Sequence, residues 1–251
     1  MSNLTGKTAV VTGGSRDIGR AICEELALAG ARVVVNYRDG ETKARAVVAA
    51  ITTAGGVAIP VQADVTQPEG CERLVQEALA RFGDQIHIVV NVAGGLVARK
   101  QLGDMDIGFF DQVMRLNAGS AFLMTKAAVP HMREGASIVN FASQAGRDGG
   151  GPGATAYAAS KGAVMTFTRS MAKELGPKGI RVNALCPGMI ATTFHDVFTK
   201  DEVRAAVAAG TPLRRQGNSA EVARTVRALV SDDMSFVTGA NIDVNGGTYF
   251  S

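Results

Sequence analysis

Thr8-Ala-Val-Val-Thr12 runs directly into Gly13-Gly14-Ser15-Arg16-Asp17-Ile18-Gly19, and this stretch decides the architecture. Its first part is a short, β-prone apolar run. A glycine-rich turn follows without a spacer, and apolar residues at helical spacing then extend from about Ile18 to Ala29 and stop at Gly30. Strand, glycine turn and helix in immediate succession aim backbone N–H groups and a helix N-terminus at a phosphate. The alternation continues outward. Strands are predicted at Ala31–Asn36, Val57–Ala63, Ile86–Val90, Ala136–Phe141, Ile180–Leu185 and Ala240–Val244. Helices are predicted at Glu41–Ala54, Gln67–Phe82, Asp106–Met132 (with a break near Asn117 to Ser120), Ala154–Leu175 and from Ser219 or Ala220 to Val230. Met189–Gly217 reads as less regular, with a short helix near Asp201–Ala209. The continuous apolar strands suit a parallel sheet buried on both faces. The expectation is α/β: one Rossmann-type domain over residues 1–251, a doubly wound parallel sheet of about seven strands with helices on both faces. No linker, repeat or low-complexity segment divides it.

Composition narrows the possibilities further. The 251 residues are 46% hydrophobic and 20% charged, ample for a large core. Lys plus Arg number 26 against 23 Asp plus Glu, a net +3 without any basic run, so nucleic acid is not expected as a partner. Cys23, Cys71 and Cys186 are far apart and odd in number, which points to a reducing compartment and to no metal site. Met1-Ser-Asn-Leu-Thr-Gly-Lys enters the first strand without a signal-peptide apolar region, and no apolar run approaches the ~20 residues of a membrane helix. The expected location is cytoplasmic, with no membrane partner.

Tyr157-Ala-Ala-Ser-Lys161 lies in the predicted Ala154–Leu175 helix. Residues four apart share a helical face, so an ammonium stands within reach of a phenol whose ordinary pKa is about 10. A nearby positive charge favours the phenolate and would let the phenol exchange a proton near neutral pH. The same spacing also fits an ordinary amphipathic helix, so the other motifs decide.

Taken together, Thr12-Gly13 to Gly19, Asp64, Asn91-Val-Ala-Gly94, Asn117, Ser143, Tyr157-x-x-x-Lys161, Pro187-Gly188 and the glycine-rich tail resemble a classical short-chain dehydrogenase/reductase over nearly the whole chain. The resemblance implies that Tyr157 exchanges a proton with the substrate oxygen. It implies that Lys161 lowers the Tyr157 pKa and holds the nicotinamide ribose, that Ser143 hydrogen-bonds the reacting oxygen, and that Asn117 holds a relay water. It places the coenzyme against Gly13, Ser15, Arg16, Asp17, Ile18, Gly19, Asn36, Tyr37, Arg38, Asp64, Val65, Asn91, Ala93, Gly94, Pro187, Gly188, Ile190 and Thr192, besides Tyr157 and Lys161. Asp17 departs from the pattern, which has a glycine there, and Val92 stands where a second Asn is frequent. A carboxylate would repel a pyrophosphate, so the Asp17 side chain is expected to turn away, capping the following helix.

The second strand ends in Asn36-Tyr37-Arg38, neutral and then basic, with Arg16 in the turn. Two guanidiniums and no carboxylate suit a 2′-phosphate, so NADPH/NADP+ is the expected coenzyme; Asp39 keeps NADH possible. For the substrate, a small carbonyl compound, the candidates are Arg99 and Lys100 in the loop after the fourth strand, Gly150 in a glycine-rich segment, and His195. The pattern resembles both 3-oxoacyl-[acyl-carrier-protein] reductases and bacterial reductases of 4-deoxy-5-hexoseulose uronate, an anionic keto-sugar acid. A carrier-linked substrate would call for basic residues around an open cleft, with Arg133, Lys173 and Arg214 as candidates. An NAD-dependent alcohol or sugar dehydrogenase and a dinucleotide-binding regulator without turnover are the alternatives. The resemblance also implies a homotetramer, with Ser219–Ser251 in one interface.

Overall fold

The computed structural model describes residues 3–250. Seven parallel strands form one sheet in the order β3-β2-β1-β4-β5-β6-β7: β1 Thr8–Thr12, β2 Arg32–Tyr37, β3 Val57–Gln62, β4 Ile88–Asn91, β5 Ser137–Phe141, β6 Arg181–Pro187 and β7 Asn241–Val244. The order reverses between β1 and β4, and that is where such a sheet opens a crevice at its carboxyl ends.

Alternate residues of each strand feed two cores. Ala9, Val11, Val33 and Val35 pack against α1 (Asp17–Leu28), α2 (Glu41–Thr53) and α10 (Ser219–Val230). Val10 and Val34 face α3 (Pro68–Phe82), α5 (Ser120–Ala128) and α7 (Thr155–Leu175). Burying each large side chain here contributes about 1.5–3 kcal/mol. That requirement explains the apolar runs of the central strands β1, β2 and β4.

The predicted helix at 106–132 is three pieces: α4 Ile107–Met114, a π-helical turn Arg115–Gly119, and α5, followed by a 3-10 turn at Val129–His131 where Pro130 lacks an N–H. Asn117, at the expected break, sits in the π turn. Two short helices were not predicted, α6 Ala145–Asp148 and α8 Thr193–Phe198; α9 spans Asp201–Gly210. No described helix is long and apolar enough to cross a membrane.

Candidate active site

The glycine turn is built by contact. A Cβ on Gly19 would lie 2.1 Å from the Gly13 carbonyl oxygen, so only glycine lets α1 start this close to β1. Gly13 has φ 64° and stands 3.2 Å from the Ala93 Cα by the same measure. Arg16, the residue before α1, makes no side-chain cap, so the first N–H groups of the helix are left for another acceptor.

Several residues expected to touch coenzyme have their side chains engaged within the protein. Asn36 is buried: its Oδ1 accepts from Gly13 N at 3.1 Å and its Nδ2 donates to Ala63 O at 3.0 Å. Tyr37 and Val65 are packed in the two cores. Asn91 donates to Asn140 Oδ1 at 2.8 Å, inside the sheet, and Ala93 N donates to Thr12 Oγ1 at 3.1 Å. These side chains point into the protein, so coenzyme contacts at these positions fall to the main chain.

Asp17 does turn, but not onto its own helix. Its backbone is left-handed, φ 49°, which accounts for a glycine being the usual residue here. Its Oδ1 accepts from Thr193 N at 3.2 Å and its Oδ2 from Thr193 Oγ1 at 2.5 Å. Arg16 Nη1 donates to the same hydroxyl at 2.7 Å. Arg38 is exposed and pairs with Asp39 at 2.8 Å. At Asp64, burial opposes ionisation, but two hydrogen bonds from Thr66 and the Arg38 charge outweigh it and hold the carboxyl below its usual range.

Beyond the turn lies a cavity of about 360 Å³. It is lined by Ser143, Tyr157 and Lys161, and also by Ile18, Gly94, Pro187, Gly188, Ile190, Thr192, Arg99, Gly150 and His195. Apart from Ile18, the glycine turn lies outside its lining, as do Arg38 and Asp64. Leu96, Gln144, Asp148, Val207 and Thr248 also line it, and sequence reasoning missed them. Leu96 is delivered by a three-residue turn in which Ala98 N donates to Leu96 O at 2.8 Å, with Val97 at φ 66°. Val207 and Thr248 come from α9 and the tail and carry no local signature.

Lys161 is buried and donates to Phe141 O at 2.6 Å; its Nζ lies 5.6 Å from the Tyr157 ring centroid. Asn117 uses its whole amide on backbone: Oδ1 accepts from Gly95 N at 3.0 Å, and Nδ2 donates to Gly95 O and Val113 O at 2.9 Å. A water at Asn117 would therefore have to use the main chain, which the π turn disturbs. A Cβ on Gly94 would fall 2.6 Å from Asn117 Oδ1 and 3.2 Å from Lys161 Nζ, so three separate segments meet there. The Ser143 segment is fixed through Arg147, whose Nε meets Asp243 Oδ1 at 2.8 Å and whose Nη2 donates to Asn241 O at 2.6 Å on β7.

The expected fall in the Tyr157 pKa is corrected by the structure. Burial pushes the phenol up, and a hydrogen bond with Ser143 offsets only part of that. Burial also pushes Lys161 down to about 8. The sign for stability follows from linkage. Between about 8 and 10 the unfolded chain keeps the Lys161 proton and the folded chain has lost it, so the Lys161 contribution to stability rises with pH across that window. Roughly 2 to 3 kcal/mol is expected. The buried thiols Cys23, Cys71 and Cys186, whose pKa values burial raises, act in the opposite direction over the same window, so the test is the difference: denaturant titrations at both ends should show the wild type gaining stability relative to Lys161→Met as pH rises. The same slope in both proteins would contradict it.

The substrate candidates divide. Arg99 is on the cavity wall but spends Nη1 on Pro152 O (2.9 Å) and Nε on Phe198 O (3.3 Å). Lys100 is turned away, 3.5 Å from Asp106 and over the Phe109 ring. His195 bonds Thr199 Oγ1 through Nδ1, and burial together with the Arg204 charge lowers its pKa, so it stands neutral at pH 7. Phe194 meets the Tyr157 ring at 6.0 Å and the Phe198 ring at 5.1 Å between centroids, tilted by 37° and 55°. Arg133 pairs with Asp84 and Lys173 is in the last turn of α7, both at the amino edge of the sheet, away from the cavity. Arg214 donates to Ala209 O. These three do not ring the cleft.

A doubly wound sheet with a glycine turn at its switch point and a phenol, hydroxyl and ammonium converging in the adjoining cavity defines a dinucleotide-linked oxidoreductase. A family model described as enoyl-(acyl carrier protein) reductase matches residues 13–249. The chain belongs to the short-chain dehydrogenase/reductase family. It is 39% identical over 257 residues to versicolorin reductase 1 of Aspergillus parasiticus, covering 98% of this chain and 97% of that protein. It is 39% identical over 254 residues to the 3-oxoacyl-[acyl-carrier-protein] reductase of a Synechocystis species, covering 98% of both. A short-chain dehydrogenase of Burkholderia cenocepacia, crystallised with NADP, superposes with a TM-score of 0.91 at 34% identity, covering 98% of this chain and 99% of that one.

Proposed function

We propose that this protein reduces a ketone to an alcohol with NADPH, in a reversible reaction. The observation that carries the reading is the convergence of Ser143, Tyr157 and Lys161 in one cavity beside the glycine turn. The residues present fit the dinucleotide. The turn leaves a cradle that a Cβ at Gly13 or Gly19 would fill, and the start of α1 offers uncapped N–H donors to a pyrophosphate. Bound there, the nicotinamide supplies the hydride. The chain's own residues do the rest. Ser143 hydrogen-bonds the carbonyl oxygen and stabilises the charge that grows on it. Tyr157, held protonated by burial, gives its proton to that oxygen in reduction and takes one back in oxidation. Lys161 brings a positive charge beside the phenol from a point fixed by Phe141 O. The neutral His195, Phe194 and Leu96 keep water from the reacting carbon.

NADP in the Burkholderia relative supports the choice of coenzyme, as do the exposed guanidiniums of Arg16 and Arg38. Asp39 beside Arg38 is the feature that would favour NADH. Reversing the charge at Arg16 and Arg38 should weaken NADPH ~10- to 100-fold and NADH only slightly, read by fluorescence titration. Equal losses would rule out a 2′-phosphate contact.

The substrate reading is a small ketone. With the basic residues away from the cleft, a docked carrier protein finds less support than a free substrate; an acidic group could still meet Arg99 at the rim. The Phe194 and Tyr157 rings that line the cavity favour a second reading, a planar aromatic ketone. Initial rates with acetoacetyl-coenzyme A, 4-deoxy-5-hexoseulose uronate and a tetralone separate the thioester, keto-acid and aromatic readings. The exposed apolar side chains Ile107, Phe122 and Phe236 support a homotetramer, which light scattering reads directly. Three free, buried cysteines suit a cytoplasmic location.

A further inference from the structure

The helix that carries Phe194 and His195 has little of its own to hold it. α8 is six residues long and none of them is buried. A helix that short does not persist in water without outside contacts. Its C-terminal end is met by Arg99 donating to Phe198 O. Its N-terminal end is met by Asp17, whose carboxylate takes both the N–H and the hydroxyl of Thr193, with Arg16 on the same hydroxyl. The Asp17 side chain is only 24% exposed, and its backbone adopts the left-handed conformation that a non-glycine residue adopts at a cost. Glycine would meet the backbone requirement of the turn but would leave the end of α8 without this anchor.

We infer that Asp17 is a positioning residue that straps α8 to the glycine-rich turn and so seats Phe194 against Tyr157 and His195 on the cavity wall. Because the strap starts on the turn proposed to hold the pyrophosphate, coenzyme and substrate cover share one anchor; that coupling rests on the coenzyme reading above. Asp17 contributes to the substrate side of the cavity although it lies in the phosphate turn. Its carboxylate is drawn toward Thr193 and away from the phosphates.

Hydrogen exchange on the coenzyme-free protein tests the strap. In Asp17→Gly the amides of Thr193 to Phe198 should exchange roughly ten- to hundredfold faster, as expected for loss of charge-assisted hydrogen bonds, while those of Ile22 to Leu26 in α1 stay unchanged. Asp17→Asn keeps an oxygen for Thr193 N and tolerates the left-handed backbone, so it should fall between. Fluorescence titration with NADPH should show Asp17→Gly binding as tightly as the wild type or more so, because a negative charge has left the vicinity of the phosphates. A merely structural loss would loosen α1 and weaken NADPH together. Unchanged exchange in α8 would overturn the strap, as would weaker NADPH binding with α8 undisturbed, which would place Asp17 in the dinucleotide site. A wild type that does not bind NADPH would sink the coenzyme reading alone; exchange in α8 would still decide the strap.

Discussion

Tyr157→Phe is expected to slow ketone reduction ~10²- to 10⁴-fold, the range lost when a positioned general acid is removed. The phenol lines the cavity with Ser143 and Lys161, and burial holds it protonated, ready to donate. Phenylalanine keeps the ring, so the tilted contact with Phe194 survives, and only the hydrogen bond with Ser143 is lost. Stability should therefore change by less than about 1.5 kcal/mol. NADPH affinity should stay within a few-fold, because the turn proposed to hold the phosphates does not include Tyr157. Steady-state rates under saturating NADPH and a thermal melt check both halves. Full activity in the variant would move the proton donor to another group.

Gly19→Ala should produce the largest loss of stability of any single methyl added to the turn. The new Cβ would sit 2.1 Å from the Gly13 oxygen, 2.9 Å from its carbonyl carbon and 3.1 Å from the Gly14 Cα. All three are backbone atoms, so no rotamer change relieves the clash and either α1 or β1 must shift. Overpacking of this kind costs about 3 kcal/mol or more. In a chain of this size that lowers the melting temperature by roughly 6–12 °C, and NADPH affinity should fall with it because the phosphate cradle is the part that moves. Gly176→Ala is the control: nothing lies within 4 Å of its Cβ position, so both quantities should hold. A Gly19→Ala protein that melts and binds like the wild type would mean that the turn is looser than described.

The sheet was legible because its strands are buried on both faces, and that demand writes continuous Val, Ile and Ala runs such as those at Ala9 to Val11 and Val33 to Val35. The glycine turn and the Tyr157–Lys161 spacing were legible for a similar reason: close backbone approach and a shared helical face each restrict residue type. What stayed hidden depended on distant contacts. α8 has no buried residue and so no apolar periodicity; it is held by Asp17 and Arg99, which lie far away in sequence, and by Arg204 of α9 paired with Asp196. Lys100 looked equivalent to its neighbour Arg99, yet Asp106 and the Phe109 ring draw it off the cavity. Asn36, Tyr37 and Asn91 occupy strand-end positions where coenzyme contact is expected, but a side chain's direction at a strand end follows the pleat, and here the pleat turns them inward. The direction of the Tyr157 shift escaped because burial is a tertiary property, whereas the lysine spacing is a local one.

Isotope transfer tests the central claim most directly. NADPH carrying deuterium at both positions of the nicotinamide C4 is mixed with the wild-type protein and the ketone of the panel that it reduces fastest, and the alcohol is examined by mass spectrometry and NMR. One deuterium on the carbinol carbon for each NADPH consumed is the predicted result. An alcohol whose carbinol hydrogen comes from water, or tight NADPH binding with no ketone reduced, would contradict the account.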